Sequence, residues 1–236
     1  MKIVKNDLFD YPNRFIYQDV DSFKFSIDSI LLSEFVKVRK SDKLIGDLCS
    51  GNAPVPLILS TKYSNPIVGF EIQKEIYELG VKSVEENNLS NQIKLINDDV
   101  NNIMNYYPVE SFDILTCNPP YFRCYEKSPT NDKPALSIAR HEIKLQLESI
   151  FEISFKALKQ GGRLYLVHRP ERLDDLIILG NKHKVNVKEI QLICTNSSQK
   201  PNLVLVKCVK NSKKDVIINP VKSTGSLTTY QNLFRK

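Results

Sequence analysis

The chain has no Cys-x-x-Cys pair, and its five cysteines (Cys49, Cys117, Cys124, Cys194 and Cys208) are odd in number and scattered along 236 residues. That pattern argues against a disulfide framework and for reduced thiols in a cytosolic protein. Cys117 and Cys124 are spaced wrongly for a zinc knuckle, so both are expected to be packing or loop residues and no metal site is anticipated. No apolar run reaches membrane-spanning length, and Met1-Lys2-Ile3-Val4-Lys5-Asn6-Asp7 lacks the apolar core of a signal peptide. A cytoplasmic protein with no membrane partner is therefore expected. Neither a repeat nor a second domain is visible. Charge of one sign is in mild excess only: 33 Lys and Arg against 27 Asp and Glu leave +6, compatible with an anionic partner and equally with an ordinary solvated surface.

What is present is an alternation of strand-like and helix-like segments, long enough for one sizeable α/β core. The first forty residues are polar and aromatic until Ser29, where Ile30, Leu31, Leu32, Phe35 and Val36 take helical spacing. Strands are expected to end at Asp47, Glu71, Asp99 and Cys117, with helices from Val55 to about Ser60 and from Lys74 to Asn88. A helix from Leu147 to Leu158 should stop at Gly161-Gly162, before a strand from Arg163 to His168. A helix over Glu171–Lys182 and strands Val187–Ile193 and Leu203–Lys210 follow, the last two forming a closing hairpin. Residues 123–136 lack periodicity; a loop of that length suits a flap over a substrate. The expected organisation is an N-terminal segment over 1–40, a core over 41–211 and a polar tail over 212–236.

The chemistry concentrates at Asn118-Pro119-Pro120-Tyr121, directly after the apolar strand Phe112–Cys117. Proline holds the residue before it out of the helical region, so Asn118 stays extended at the strand's end. Pro119 and Pro120 have fixed φ and no N–H, leaving a stiff backbone with carbonyls free to accept. Tyr121 offers a flat face for a planar ring. An amide oxygen, a free carbonyl and an aromatic face suit a planar group bearing an NH₂, which could be a nucleobase amine or a glutamine amide. Read structurally, the same residues are a proline-rich turn with a packed tyrosine.

Upstream, Lys43-Leu44-Ile45-Gly46-Asp47-Leu48-Cys49-Ser50-Gly51-Asn52-Ala53 has the strand–turn–helix pattern in which backbone N–H groups meet a ligand. It is not the dinucleotide fingerprint: Gly51 is present, but Cys49 and Ala53 stand where glycines belong. The next strand, Ile67–Glu71, ends in an acid placed to accept from ribose hydroxyls, with Ile72 beside it. A third, Ile93–Ile96, leads into Asn97-Asp98-Asp99, where Asp98 or Asp99 could receive an adenine amino group. Each acid alone could be a solvated turn residue.

This succession resembles the class I S-adenosylmethionine-dependent methyltransferases, and the Asn118–Tyr121 tetrad their amino-methylating branch. More narrowly, the chain resembles the bacterial tRNA1(Val) adenine-37 N6-methyltransferase family. Phe25-Ser26-Ile27-Asp28-Ser29-Ile30-Leu31-Leu32, Asp47–Gly51, Asn118–Phe122, Ala139-Arg140-His141-Glu142 and His168-Arg169-Pro170-Glu171-Arg172-Leu173 carry the likeness, which runs to about Pro220. It implies a doubly wound α/β fold with a mostly parallel seven-stranded Rossmann-like sheet and an antiparallel C-terminal strand. It further implies S-adenosylmethionine as cofactor, held by Asp47, Cys49, Gly51, Glu71, Ile72, Asp98, Asp99 and Asn118. Asn118, Pro119 and Tyr121 would be catalytic. Pro120, Phe122, Arg123, Arg140, His141, Arg169 and Arg172 would meet the substrate, the anticodon stem-loop of a tRNA.

An exocyclic amine is a poor nucleophile because its lone pair is delocalised into the ring. Acceptance of its hydrogens by the Asn118 oxygen and the Pro119 carbonyl would rotate that lone pair toward the methyl group, so positioning supplies most of the rate. Neither a general base nor a metal is required. Rival readings are a protein-glutamine N5-methyltransferase, a DNA or ribosomal RNA adenine methyltransferase, and an RNA binder that has lost its cofactor. The first two usually carry an added domain for which the chain leaves no room. Whether the protein is a monomer or a dimer is not legible in the sequence.

Overall fold

The computed structural model describes residues 2–8, 11–19, 27–119, 146–196, 200–213 and 215–224. Strand pairing begins earlier than the sequence suggests: Ile3–Asp7 (β1) and Phe15–Asp19 (β2) form an antiparallel hairpin. Its outer edge is closed by a helix instead of a third strand. In the helix Lys74–Glu86 (α3, after the two below), Ser83 Oγ accepts the Tyr17 N–H at 2.9 Å, and Asn87 just beyond the helix exchanges two hydrogen bonds with Phe15. Those polar side chains satisfy edge groups that would otherwise be left open.

Helix α1 (Ile27–Phe35) is buried almost all round, its polar Asp28, Ser29 and Ser33 included. Strand β3 (Ile45–Asp47) leads through a tight turn into helix α2 (Pro54–Ser60), whose first turn is preset by Pro54 and Pro56. Strands β4 (Ile67–Phe70), β5 (Ile93–Ile96) and β6 (Phe112–Cys117) run parallel to β3. Helix α4 (Leu147–Ala157), strand β7 (Leu158–His168), helix α5 (Leu173–Lys182), and strands β8 (Val185–Cys194) and β9 (Leu203–Lys210) complete the core. The central strands stand in the order β8-β9-β7-β6-β3-β4-β5, with β9 antiparallel to both its neighbours. The expected sheet is thus present, and β9 is its antiparallel C-terminal strand.

One apolar layer joins α1 and α2 to Ile45, Ile114 and Tyr165; the other joins α4 and α5 to Leu115, Leu164 and Leu166. Leu115 and Ile114 face opposite ways as the strand period requires. A register shift between Phe112 and Ile114 turns Phe112 to the Leu115 side. A buried ion pair joins Arg163 Nη2 to Asp42 Oδ2 at 2.5 Å, and the same oxygen accepts the Arg39 N–H.

Three details differ from the sequence reading. Gly161-Gly162 do not cap α4: the helix stops at Ala157, because Leu158 is already extended and fully buried in the sheet opposite Phe112. Gly161, at φ +69, instead lies in the irregular stretch before pairing resumes at Arg163. Helix α5 begins at Leu173, after a 3₁₀ turn over Pro170–Arg172. Two residue pairs in the expected tail, Ile217–Ile218 (β10) and Lys222–Ser223 (β11), lie parallel to β8 and extend the sheet.

Candidate active site

The C-terminal ends of β3, β4, β5 and β6 lie along one sheet edge, since Asp47 pairs with both Gly69 and Thr116, and Phe70 with Ile96. Chain order reverses between β3 and β6. Such a switch point leaves a crevice beyond the strands, and the acids of the first three turns and Asn118 all face it in chain position.

Asp47 is fully buried. Its Oδ1 accepts the Thr116 hydroxyl at 2.7 Å, while Oδ2 has no partner among the described residues. Burial pushes its carboxyl up to about 7, the Thr116 hydrogen bond working against this and the Glu71 charge adding to it. In the turn that follows, the buried Ser50 hydroxyl is likewise unpartnered. Gly51 takes a left-handed φ of +53 with nothing within 4 Å of where a Cβ would stand. Ala53 also adopts a left-handed conformation, at φ 71, so the smallest side chain takes the place a glycine was expected to fill. Cys49 is half-buried with its Sγ 3.8 Å from Cys117 Sγ, and burial raises the Cys117 thiol well above its ordinary value.

Glu71 ties two turns together. Its Oε2 accepts the Gly51 N–H at 3.0 Å and its Oε1 the Gln73 N–H at 2.8 Å. Burial raises its carboxyl, partly offset by those backbone donors. A carboxylate offers about four acceptor sites, so capacity remains for hydroxyl donors. Ile72 beside it is half-buried. The two candidates after β5 separate cleanly. Asp98 accepts from Asn102 Nδ2, the Tyr106 hydroxyl and the Asp99 N–H, which hold its carboxyl below the usual range. Asp99 caps the 3₁₀ turn through Oδ1 to Asn101 N–H at 2.9 Å, and no described residue bonds its Oδ2.

Asn118 is half-buried just past β6, and its amide nitrogen donates to Ser29 Oγ on α1 at 3.1 Å. Pro119 is buried. Pro120, Tyr121, Phe122, Arg123, Arg140 and His141 lie outside the described residues, as does the 123–136 loop. The pairing of Cys117 with Leu166 brings the end of β7 beside Asn118. There His168 is buried, its Nδ1 accepting the Arg169 N–H at 2.8 Å. Burial, followed by the Arg172 charge, lowers its pKa to about 4, so the imidazole is neutral at pH 7. Arg169 is exposed and donates to the Asn202 carbonyl at 3.1 Å; Arg172 pairs with Asp175 at 2.5 Å.

Ser29, Ser50 and Thr116 were not singled out from the sequence. Each contributes one hydroxyl, and serine or threonine in an apolar run carries no signal of what that hydroxyl meets. Together the crevice offers a buried unpaired carboxylate oxygen, a second carboxylate at the neighbouring strand end, and an oriented amide across from both. That arrangement can hold a cationic, hydroxyl-bearing ligand on one side and a planar amine on the other.

No family model matches the chain. Curated relatives do. The chain is 20% identical to the tRNA1(Val) (adenine(37)-N6)-methyltransferase of Flavobacterium psychrophilum over 215 residues, covering 89% of this chain and 90% of that one. It is 22% identical to the protein of the same name from Bacteroides thetaiotaomicron, covering 98% and 97%. Among solved structures, a predicted O-methyltransferase from Agrobacterium tumefaciens superposes with a TM-score of 0.66 at 20% identity, over 85% of this chain and 90% of that chain. A putative class I S-adenosylmethionine-dependent methyltransferase from Listeria monocytogenes gives 0.60 at 14%, over 89% and 71%. TYW2 from M. jannaschii, crystallised in complex with AdoMet, gives 0.57 at 11%, over 88% and 85%. The fold is that of the class I methyltransferases, and the resemblance in sequence to the tRNA1(Val) enzymes spans most of the chain.

Proposed function

We propose that the chain methylates the N6 amine of an adenine in tRNA with S-adenosylmethionine, adenosine 37 beside the anticodon of tRNA1(Val) being the preferred target. The observation that carries this reading is the position of Asn118-Pro119 just beyond β6, across the switch point from the Asp47–Gly51 turn. The names borne by the relatives supply the tRNA and its adenine.

The residues present fit the cofactor. The orphaned Asp47 Oδ2 suits the ammonium of its methionine part, and the open space over Gly51 admits close approach of backbone. Glu71 would take the ribose hydroxyls and Asp99 Oδ2 the adenine amine, with Ile72 against the ring. When bound, the cofactor supplies an electrophilic methyl on sulfonium. The chain's part is orientation. The Asn118 oxygen and the Pro119 carbonyl accept the two hydrogens of the target amine, turning its lone pair out of conjugation and toward the methyl group. Tyr121 stacks on the base, which must be unpaired or flipped to enter. The amine nitrogen gains the methyl as the C–S bond breaks, and its surplus proton leaves to water, so no residue of shifted pKa is needed as base. Arg123, Arg140, His141, Arg169 and Arg172, with Pro120 and Phe122, are proposed to hold the anticodon stem-loop.

The test is transfer of labelled methyl from S-adenosylmethionine into unmodified tRNA, with DNA and protein extract as parallel acceptors. N6-methyladenosine in tRNA is expected, and Asn118→Ala should lower the rate by about 10²–10³, the scale of losing one aimed polar group. Label confined to protein would favour glutamine methylation, and undiminished turnover in Asn118→Ala would sink the mechanism.

A further inference from the structure

We infer that Ser29 is a positioning residue for this reaction: its hydroxyl bonds the nitrogen end of the Asn118 amide and so restrains the side chain while its oxygen end meets the target amine. The inference rests on the proposed function and adds a residue to it. An asparagine amide is nearly symmetric in shape but not in chemistry, with two donor hydrogens on one end and an acceptor oxygen on the other. Only the oxygen can accept from an exocyclic amine. A flipped amide would set donor against donor and push the base away. With the oxygen turned to the amine, the nitrogen end needs an acceptor; a hydroxyl can donate as well as accept, so the target amine selects the oxygen and the hydroxyl restrains the amide there.

Ser29 does so by accepting from Asn118 Nδ2 at 3.1 Å, across 89 residues of sequence. The hydroxyl is well placed to hold a fixed geometry. Ser29 is 2% exposed, between the buried Asp28 and Ile30 in the first turn of α1. Its carbonyl accepts the Ser33 hydroxyl at 2.7 Å, a second local tie on the same turn. The helix packs against α2, which itself follows the Asp47–Gly51 turn, and against the start of the sheet layer through Leu31 and Leu32. Position of the hydroxyl is thus fixed by the same core that fixes the cofactor turn. A serine buried in an apolar helix face is costly unless paired, and here the pairing is with the one side chain whose orientation the chemistry depends on.

A purely structural serine would affect folding or the placement of α1 and would act on Asn118 and everything else alike. A positioning serine acts through Asn118 alone, and the two roles separate in kinetics. Ser29→Ala and the near-isosteric Ser29→Cys, whose thiol is a poor acceptor, should both lower kcat by about 5- to 50-fold, with KM for tRNA and calorimetric affinity for S-adenosylmethionine within about 2- to 3-fold of wild type. Ser29→Thr, which keeps the hydroxyl, should recover most of the rate. Introduced into Asn118→Ala, either variant should do nothing further, because the group it orients is gone. Wild-type kcat in Ser29→Cys would overturn the inference, as would an equal loss in the presence and absence of Asn118. Should Ser29→Ala fail to fold, the Ser29→Cys and Ser29→Thr pair carries the same comparison. The wild-type and Asn118→Ala controls keep the readings apart: no N6-methyladenosine in tRNA from wild type sinks the proposed function, a fully active Asn118→Ala sinks the mechanism, and an impaired Asn118→Ala beside a fully active Ser29→Cys sinks only the role of Ser29.

Discussion

Replacing Asp47 by Asn should make the protein more stable as pH rises. The carboxyl is fully buried, and its pKa is raised from 3.8 to about 7, chiefly by burial. An acid with a raised folded-state pKa keeps a proton that the unfolded chain gives up. Its contribution is therefore complete below 3.8, declines as pH rises, and is gone above about 7. At about 1.4 kcal/mol per unit, ionising this group in place removes roughly 4 kcal/mol by pH 8, of which roughly 3 kcal/mol falls between pH 5 and pH 8. His168 acts the other way. Its pKa is lowered from 6.5 to about 4, so its contribution is present above 6.5 and lost as pH falls toward 4. The two windows overlap, and the wild-type profile in that range conceals both. The difference between Asp47→Asn and wild type removes the histidine. Asparagine leaves a buried NH₂ without a partner, at a cost of about 1–3 kcal/mol, but that offset does not change with pH. Urea unfolding at pH 5, 6, 7 and 8 should show the variant gaining on wild type by roughly 3 kcal/mol across the series. A stability difference that stays constant from pH 5 to pH 8 would refute a buried, unpaired Asp47. On the proposed function the same variant should bind S-adenosylmethionine more weakly, since the ammonium loses its counter-charge.

The remaining predictions concern the frame around the site. Arg163→Met should cost about 3–5 kcal/mol by leaving Asp42 buried without its counter-charge, and adding Asp42→Ala should restore part of that in thermal melts, the Arg39 N–H then losing its acceptor. On the proposed function, Gly69→Ala should weaken S-adenosylmethionine binding without touching the ligand, because its Cβ would stand 2.7 Å from Ser50 Cβ and push the Asp47–Gly51 turn; calorimetry showing unchanged affinity would contradict this. Cys117 and Cys208 are buried, with thiols raised by burial, so iodoacetamide at pH 8 should leave both unmodified in the folded protein and label both in urea, as read by peptide mass spectrometry.

Strand ends were legible because parallel strands buried on both faces write themselves as short apolar runs, and Asp47, Glu71 and Asn118 are simply the next polar residues. The hairpin β1–β2 was not, because its partner is the polar side of α3, and Ser83 and Asn87 read as surface residues until a strand edge is seen to need them. Gly161-Gly162 misled for a related reason: glycines mark a change of direction but not which one, and Leu158 had already been drawn into the sheet. Among the acids proposed for the cofactor, sequence favoured Asp99 at the adenine with Asp98 as the alternative. What sequence could not show is that the Tyr106 hydroxyl, eight residues on, donates to Asp98 Oδ2.

The same division explains the site. Residues that present charge or an aromatic face to a ligand stand out by type and by place, whereas residues that orient them do not. Thr116 turns Asp47 by one hydrogen bond, and Ser29 holds Asn118 by another, yet each hydroxyl differs by one atom from an apolar neighbour of equal size. Their partners lie 69 and 89 residues away, a separation that no periodicity encodes. On the proposed function, the reactive groups of such a site can all be retained while its rate falls. On the same reading, every residue that touches the base can be left in place, and the loss of a single hydroxyl on α1 still slows the reaction through Asn118.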